Sequence, residues 1–214
     1  SIPFRYLQKR TAEPNRYVKP IRSILLIGSP GAGKGTVGKI LGQVPGFFHV
    51  ACGEVFRSLD PRSELGREFI SYSSRGHLVP DDLTIRLWQQ HLRNLSIMGE
   101  LRPDEHYLVL DGIPRSVAQA KLMESQTDVR LVCHLDCADR SILAERIRRR
   151  SLHENRLDDI HDDTILRRFK IFDEETKPVL DHFKDRVVPV DASRKPFQVL
   201  RSILDCFERI ERGG

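Results

Sequence analysis

Hydrophobic stretches long enough to cross a bilayer are missing from this sequence: no apolar run approaches the ~18–20 residues a spanning helix needs. The first residues show no apolar core of a secretory signal, and a cytoplasmic protein is the expectation. Cysteine is scarce. Cys52, Cys133, Cys137 and Cys206 are too few and too scattered for a disulfide framework, so reduced thiols are expected. Cys133 and Cys137 flank a predicted strand end and read as small buried hydrophobes, since no second close Cys or His pair accompanies them as metal ligands. Internal repeats and low-complexity tracts are absent. So is a disorder signature: 39% hydrophobic and 30% charged residues in 214 suit one globular domain with a small insert.

The body also lacks an excess of one charge. The formal net charge is +5, but residues 1–22 hold six cations (Arg5, Lys9, Arg10, Arg16, Lys19, Arg22) against Glu13 alone. Subtracting these from 35 cations and 30 anions leaves 29 of each. A basic extension over residues 1–22 therefore precedes a formally neutral domain over 23–214. A nucleic-acid-binding face is not implied for that domain.

What is present begins with Ile24-Leu25-Leu26-Ile27, a continuous apolar run of the kind that forms a strand buried on both faces. Similar runs recur at Phe47–Val50, Tyr107–Leu110, Val129–Leu135 and Val187–Val190. Amphipathic stretches of helical length lie between them, among them Thr36–Gln43, Asp82–Leu95 and Ser141–Arg150. The alternation predicts an α/β fold with a parallel sheet of about five strands. Gly53–Gly99 carries no strand signal and reads as a helical insert. Asp163–Phe183 reads as a long helix that Pro178 bends or restarts.

The strongest motif is Gly28-Ser29-Pro30-Gly31-Ala32-Gly33-Lys34-Gly35-Thr36, between the first strand and the first helix. Glycines allow backbone N–H groups to turn around phosphate oxygens, the helix N-terminus adds positive potential, and Lys34 reaches the terminal phosphates. Gly35 stands directly after the lysine, where such loops usually carry the Ser or Thr that ligates Mg²⁺; Thr36 follows one step later.

This form of the loop resembles that of the adenylate kinase family, and the family's further blocks follow in order. His49-Val50-Ala51-Cys52-Gly53-Glu54-Val55-Phe56-Arg57 resembles its acceptor-site block; Ser63-Glu64-Leu65-Gly66 and Gly76-His77-Leu78-Val79-Pro80-Asp81 resemble the helical acceptor insert. Asp111-Gly112-Ile113-Pro114-Arg115 with Gln119 resembles D-G-F-P-R-x-x-x-Q. Arg146, Arg150, Arg156-Leu157-Asp158-Asp159, Thr164 and Arg168 resemble the lid and its arginine set, with Arg168 preferred over Arg167 because Phe172, Thr176 and Pro178 then fall at the family's offsets. The resemblance covers about residues 23–207. It implies a P-loop domain with a monophosphate-binding insert near 53–82 and a short lid near 146–160, too short for a cysteine-bound structural zinc.

The resemblance also implies roles. The loop residues Gly28, Pro30, Gly31, Ala32, Gly33, Lys34, Gly35 and Thr36 form the ATP site, with Lys34 and the loop amides holding the phosphates, and Arg146 stacks on the donor adenine. Cys52, Arg57, Leu78, Val79, Gly112, Arg115 and Gln119 form the AMP site. Lys34, Arg115, Arg150, Arg156 and Arg168 act on the transferring group, and Asp111 holds Mg²⁺ through water. Lys195 lies near the adenine-contacting turn. A phosphate acceptor is already ionised at neutral pH, so no catalytic base is required, and the eight scattered histidines need no role. The expected reaction is ATP plus AMP giving two ADP, by a monomer that closes over its substrates. Gln119 favours AMP, because an amide pairs with the adenine edge; Cys52 and Ser116 match neither the AMP nor the UMP/CMP pattern fully. UMP/CMP or broad specificity stays open at this point, as does a nucleotide-binding module without turnover.

Overall fold

The structure, a computed structural model, describes residues 20–73, 79–153 and 161–213. Five strands form one all-parallel sheet in the order β2-β3-β1-β4-β5: β1 (Ile21–Gly28), β2 (Phe47–Ala51), β3 (Tyr107–Asp111), β4 (Thr127–Asp136) and β5 (Val187–Asp191). Parallel neighbours require crossovers, and helices supply them on both faces. They are α1 (Lys34–Leu41), α2 (Cys52–Arg57), α3 (Glu64–Ser73), α4 (Asp81–Ile97), α5 (Val117–Met123), α6 (Arg140–His153), α7 (Asp162–Ile171), α8 (Pro178–His182) and α9 (Pro196–Gly213).

Strand alternation divides the core into two layers. On one face Ile21, Leu25, Ile27, Leu108 and Leu110 pack with Leu83, Leu87 and Trp88 of α4. On the other, Ile24, Leu26 and Val109 pack with Val37 and Leu41 of α1 and with Val199 and Ile203 of α9. Burying each such side chain is worth roughly 1.5–3 kcal/mol, so the central strand is anchored from both sides. In β4, Val129 and Val132 face the same layer although three residues apart. The pairing with β1 slips between Ser23 and Ile24, whose partners are Val129 and Leu131, leaving Arg130 as the extra residue. Pro189 is tolerated because β5 is an edge strand.

The strands begin or end one to three residues beyond the apolar runs. The largest consequence is at β1, which starts at Ile21 rather than at residue 23. Ile21 is 3% exposed and its N–H donates to the Gln126 carbonyl at 2.9 Å. Arg22 lies over the Tyr107 ring at 4.4 Å and donates to the Asp104 carbonyl, so this cation belongs to the domain rather than to the extension. Pro178 does restart a helix: α7 gives way to a π-helical turn at Phe172–Thr176, and α8 begins at Pro178.

Candidate active site

The loop between β1 and α1 sits at the carboxyl ends of the strands, where open α/β sheets bind ligands. Gly31 and Gly33 have φ of 82° and 90°, a left-handed conformation that glycine adopts at little cost. Gly33 is the N-cap of α1, and no side chain caps that helix end. Its first N–H groups and the positive pole of its dipole therefore remain available to an anion. Lys34 folds back over the loop, its Nζ donating to the carbonyls of Gly28 at 2.7 Å and Ser29 at 3.2 Å.

A cavity of about 760 Å³ opens over this loop. It brings together Gly28, Pro30, Gly31, Ala32, Gly33, Lys34, Gly35 and Thr36 with Cys52, Arg57, Asp111, Gly112, Arg115, Arg146, Arg150 and Arg168. Lys39 and Arg194 also line it, so eight cations face two carboxylates, Glu54 and Asp111. A body that is neutral as a whole concentrates its positive charge here, which favours a polyanionic ligand.

Asp111 ends β3 and pairs with Leu26 of β1 and Ala51 of β2, placing its carboxylate between the donor loop and the start of α2. A Cβ on Gly35 would lie 3.3 Å from Asp111 Oδ2, so the glycine after Lys34 brings the loop close to this carboxylate. Burial lowers the Lys34 ammonium from 10.5 to about 8; Asp111 opposes that shift, while Arg115, Arg168 and Arg150 add to it. Burial also raises the Cys52 thiol, so it stays protonated at neutral pH. His49 is held below its usual value by burial, with Asp111 and Glu54 opposing.

Arg115 is positioned from three sides. Its Nε donates to the Gly112 carbonyl at 2.9 Å, its N–H to Gln119 Oε1 at 2.8 Å, and its carbonyl accepts from Thr176 Oγ1 at 2.9 Å. Thr176 belongs to the π-helical turn, a form that recurs at functional sites. Arg146 donates to the carbonyls of Ala192 at 2.6 Å and Ser193 at 3.2 Å, which joins α6 to the turn before α9. Arg168 lines the cavity, whereas Arg167 is exposed and does not line it. Arg148 and Arg149 pair with Asp162 and Glu145 and do not line it.

Three residues expected at or near the site do not line the cavity. Gln119 is 5% exposed and does not line the cavity; its amide is held by Asp81 and Arg115. Val79 packs against the hydrophobic core. Lys195 is exposed, and its neighbour Arg194 lines the cavity instead. Leu78 and Arg156 lie outside the described residues, as do Asp158 and Asp159. Sequence reasoning missed Arg194, Thr176 and Asp81 as site or supporting residues. Only the S-x-x-Q spacing of Ser116 and Gln119, a helix-capping pattern, hinted at the last of these networks.

A family model described as adenylate kinase matches residues 26–188. The chain belongs to the adenylate kinase family. It is 38% identical over 176 residues to an adenylate kinase of Mycobacterium bovis, covering 79% of this chain and 90% of that protein. An adenylate kinase of Rhodopirellula baltica is 35% identical over 192 residues, covering 86% and 93%. One from Kocuria rhizophila is 34% identical over 193 residues, covering 87% and 98%. The parallel sheet and its loop are those of a P-loop kinase, and family membership makes the chain a nucleoside monophosphate kinase. Among the described residues no helix is long and apolar enough to cross a membrane.

Proposed function

We propose that this protein transfers the γ-phosphoryl group of ATP to AMP, giving two ADP. The observation that carries this is the convergence of the glycine loop, Lys34, Arg115, Arg150 and Arg168 on one cavity. The names of its relatives support the same substrates. Phosphoryl transfer asks mainly for alignment and for spreading negative charge. Lys34 and the α1 amides hold the donor phosphates, Arg57 and Arg115 grip the acceptor phosphate, and Arg150 and Arg168 stabilise the charge passing between them, as planar guanidinium groups do. Arg146, fixed beside the turn at Ala192 and Ser193, stacks on the donor base. The acceptor phosphate, with its second pKa near ~6, attacks without a general base.

Mg²⁺ fits this donor set. Among the described residues no cluster of three or more His, Cys, Asp or Glu side chains is present, but Asp111 offers one carboxylate beside the loop. That suits a cation held largely by substrate oxygens and water, with charge neutralisation as its contribution. Four free cysteines, two of them buried, accord with a reducing, cytoplasmic setting.

The test is a coupled ADP-release assay with ATP and Mg²⁺, offering AMP, UMP, CMP and GMP in parallel. Rapid turnover with AMP over the others is expected. Preference for UMP or CMP would overturn the acceptor assignment, and nucleotide binding without turnover on any of the four would overturn the catalytic one.

A further inference from the structure

Thr176 ends the π-helical turn Phe172–Thr176, and its hydroxyl leaves the helix altogether. A threonine in a helix ordinarily donates to a carbonyl three or four residues back in its own ladder. The wide turn has moved that ladder on by one residue: the Lys177 N–H donates to the Phe172 carbonyl at 2.8 Å, an i to i−5 bond. Thr176 Oγ1 donates instead to the Arg115 carbonyl at 2.9 Å, across 61 positions of sequence.

The same turn continues the helix that carries Arg168. Arg168, Phe172 and Thr176 follow one another at four-residue spacing and all line the cavity, so they share one face of α7 and its continuation. Phe172, between the other two, is buried in the core, and close packing leaves little play across it. The turn has a second anchor. Asp173 accepts from Arg140 Nη2 at 2.7 Å on each carboxylate oxygen, and Arg140 opens α6, which carries Arg146 and Arg150. Arg140 also lies over the Phe169 ring of α7 at 5.2 Å. That ion pair is half-exposed and adds little stability by itself, so its consequence is geometric. One turn joins the loop of Arg115 to the helices of Arg150 and Arg168.

We propose that Thr176 is a positioning residue for phosphoryl transfer: its hydroxyl fixes the Arg115 backbone against the turn that continues the Arg168 helix. It thereby sets how the guanidinium that grips the acceptor phosphate stands to the one that stabilises the transferring group. This rests on phosphoryl transfer being the reaction. Both guanidinium groups must meet one phosphoryl group in line, and a misplacement of about 1 Å can cost about 10²-fold in rate. Without the bond each arginine can still follow its own ligand; only their mutual placement is lost. The loss is therefore felt in kcat rather than in either KM.

The experiment measures kcat, KM for ATP and KM for AMP in wild type, Thr176→Val and Thr176→Ser, each also in an Arg168→Ala background. Valine keeps the shape and loses the donor; serine keeps the donor. Thr176→Val is expected to lower kcat about tenfold or more with both KM values within about threefold, and Thr176→Ser to keep kcat within about threefold of wild type. In the Arg168→Ala background the valine is expected to lower kcat by less than about threefold, because nothing remains to be aligned. An unchanged kcat in Thr176→Val overturns the proposal. So does an equal loss in both backgrounds, the additive behaviour of a merely structural residue, and so does a serine variant as slow as the valine. Thr176→Ala, a better helix former, is run beside the valine with the same expectation. If both hydroxyl-free variants melt while the serine folds, the hydroxyl is a folding requirement and the proposal falls. A wild type that transfers phosphate to no nucleoside monophosphate refutes the kinase reading and the proposal together; with an active wild type, the other outcomes bear on Thr176 alone.

Discussion

Raising the pH from 7 to 9 should weaken ATP capture through a single side chain. With a Lys34 pKa of about 8, the ammonium is about nine-tenths charged at pH 7 and about one-tenth charged at pH 9. The neutral amine cannot hold phosphate oxygens, so kcat/KM for ATP should fall about tenfold per pH unit above 8, reporting the free enzyme. At saturating ATP the phosphates raise the amine again, and kcat should bend only at higher pH. Other shifted groups in the cavity do not confuse the window: His49 titrates below 6.5, and the Cys52 thiol above 9.0. The assay is the coupled ADP reaction with subsaturating ATP, in wild type and Lys34→Arg. Arginine does not titrate here, so its profile should be flat in this range, at a lower rate. A wild-type kcat/KM that stays level to pH 9.5, or an alkaline limb that persists in Lys34→Arg, would refute the reasoning. Stability carries the opposite sign. The native state binds fewer protons than the unfolded chain between about 8 and 10.5, so this residue's contribution rises with pH across that window. At about 1.36 kcal/mol per pH unit, its charge costs the fold up to about 3 kcal/mol at neutral pH. Lys34→Met should therefore raise the urea midpoint at pH 7 while abolishing turnover.

Arg168→Ala should lower kcat by about 10²–10³, the scale of losing one transition-state donor, whereas Arg167→Ala stays near wild type; equal losses in the same assay would contradict the assignment. Gly31→Ala should be destabilised, because φ is +82° and a Cβ would meet the Leu143 carbonyl oxygen at 2.5 Å. Left-handed strain alone is about 1–2 kcal/mol, and a rise in KM for ATP should accompany a lower Tm as α6 is pushed from the loop; an unchanged Tm would count against it. Trp88 is fully buried and its Nε1 has no partner among the described residues. Trp88→Phe should thus cost less than about 2 kcal/mol in urea denaturation, against about 3–5 for Trp88→Ala, and similar losses for the two would show that the indole N–H is satisfied.

Local chemistry settled much of this protein before its fold was known. The run Ile24–Ile27, the glycines after it and Lys34 determine strand, phosphate loop and helix start in succession, because burial on two faces and left-handed turns leave few residue choices. Pro178 marks its own helix boundary in the same way, by the geometry of its ring. Pairing and long-range contact decided the rest. The bulge at Arg130 depends on how β4 lies against β1, and a periodicity count cannot see it. That Arg22 belongs to the domain follows from Tyr107, 85 positions away in sequence, whose ring it covers. Arg194 and Lys195 are adjacent cations of the same kind, and only the path of the turn before α9 turned the first of them into the cavity. Gln119 is the sharpest case: its identity suggested a base contact, but its direction is decided by Asp81 and the Arg115 N–H. Sequence specifies which donors and acceptors exist; tertiary packing decides which of them are already used, and so which face a ligand can meet.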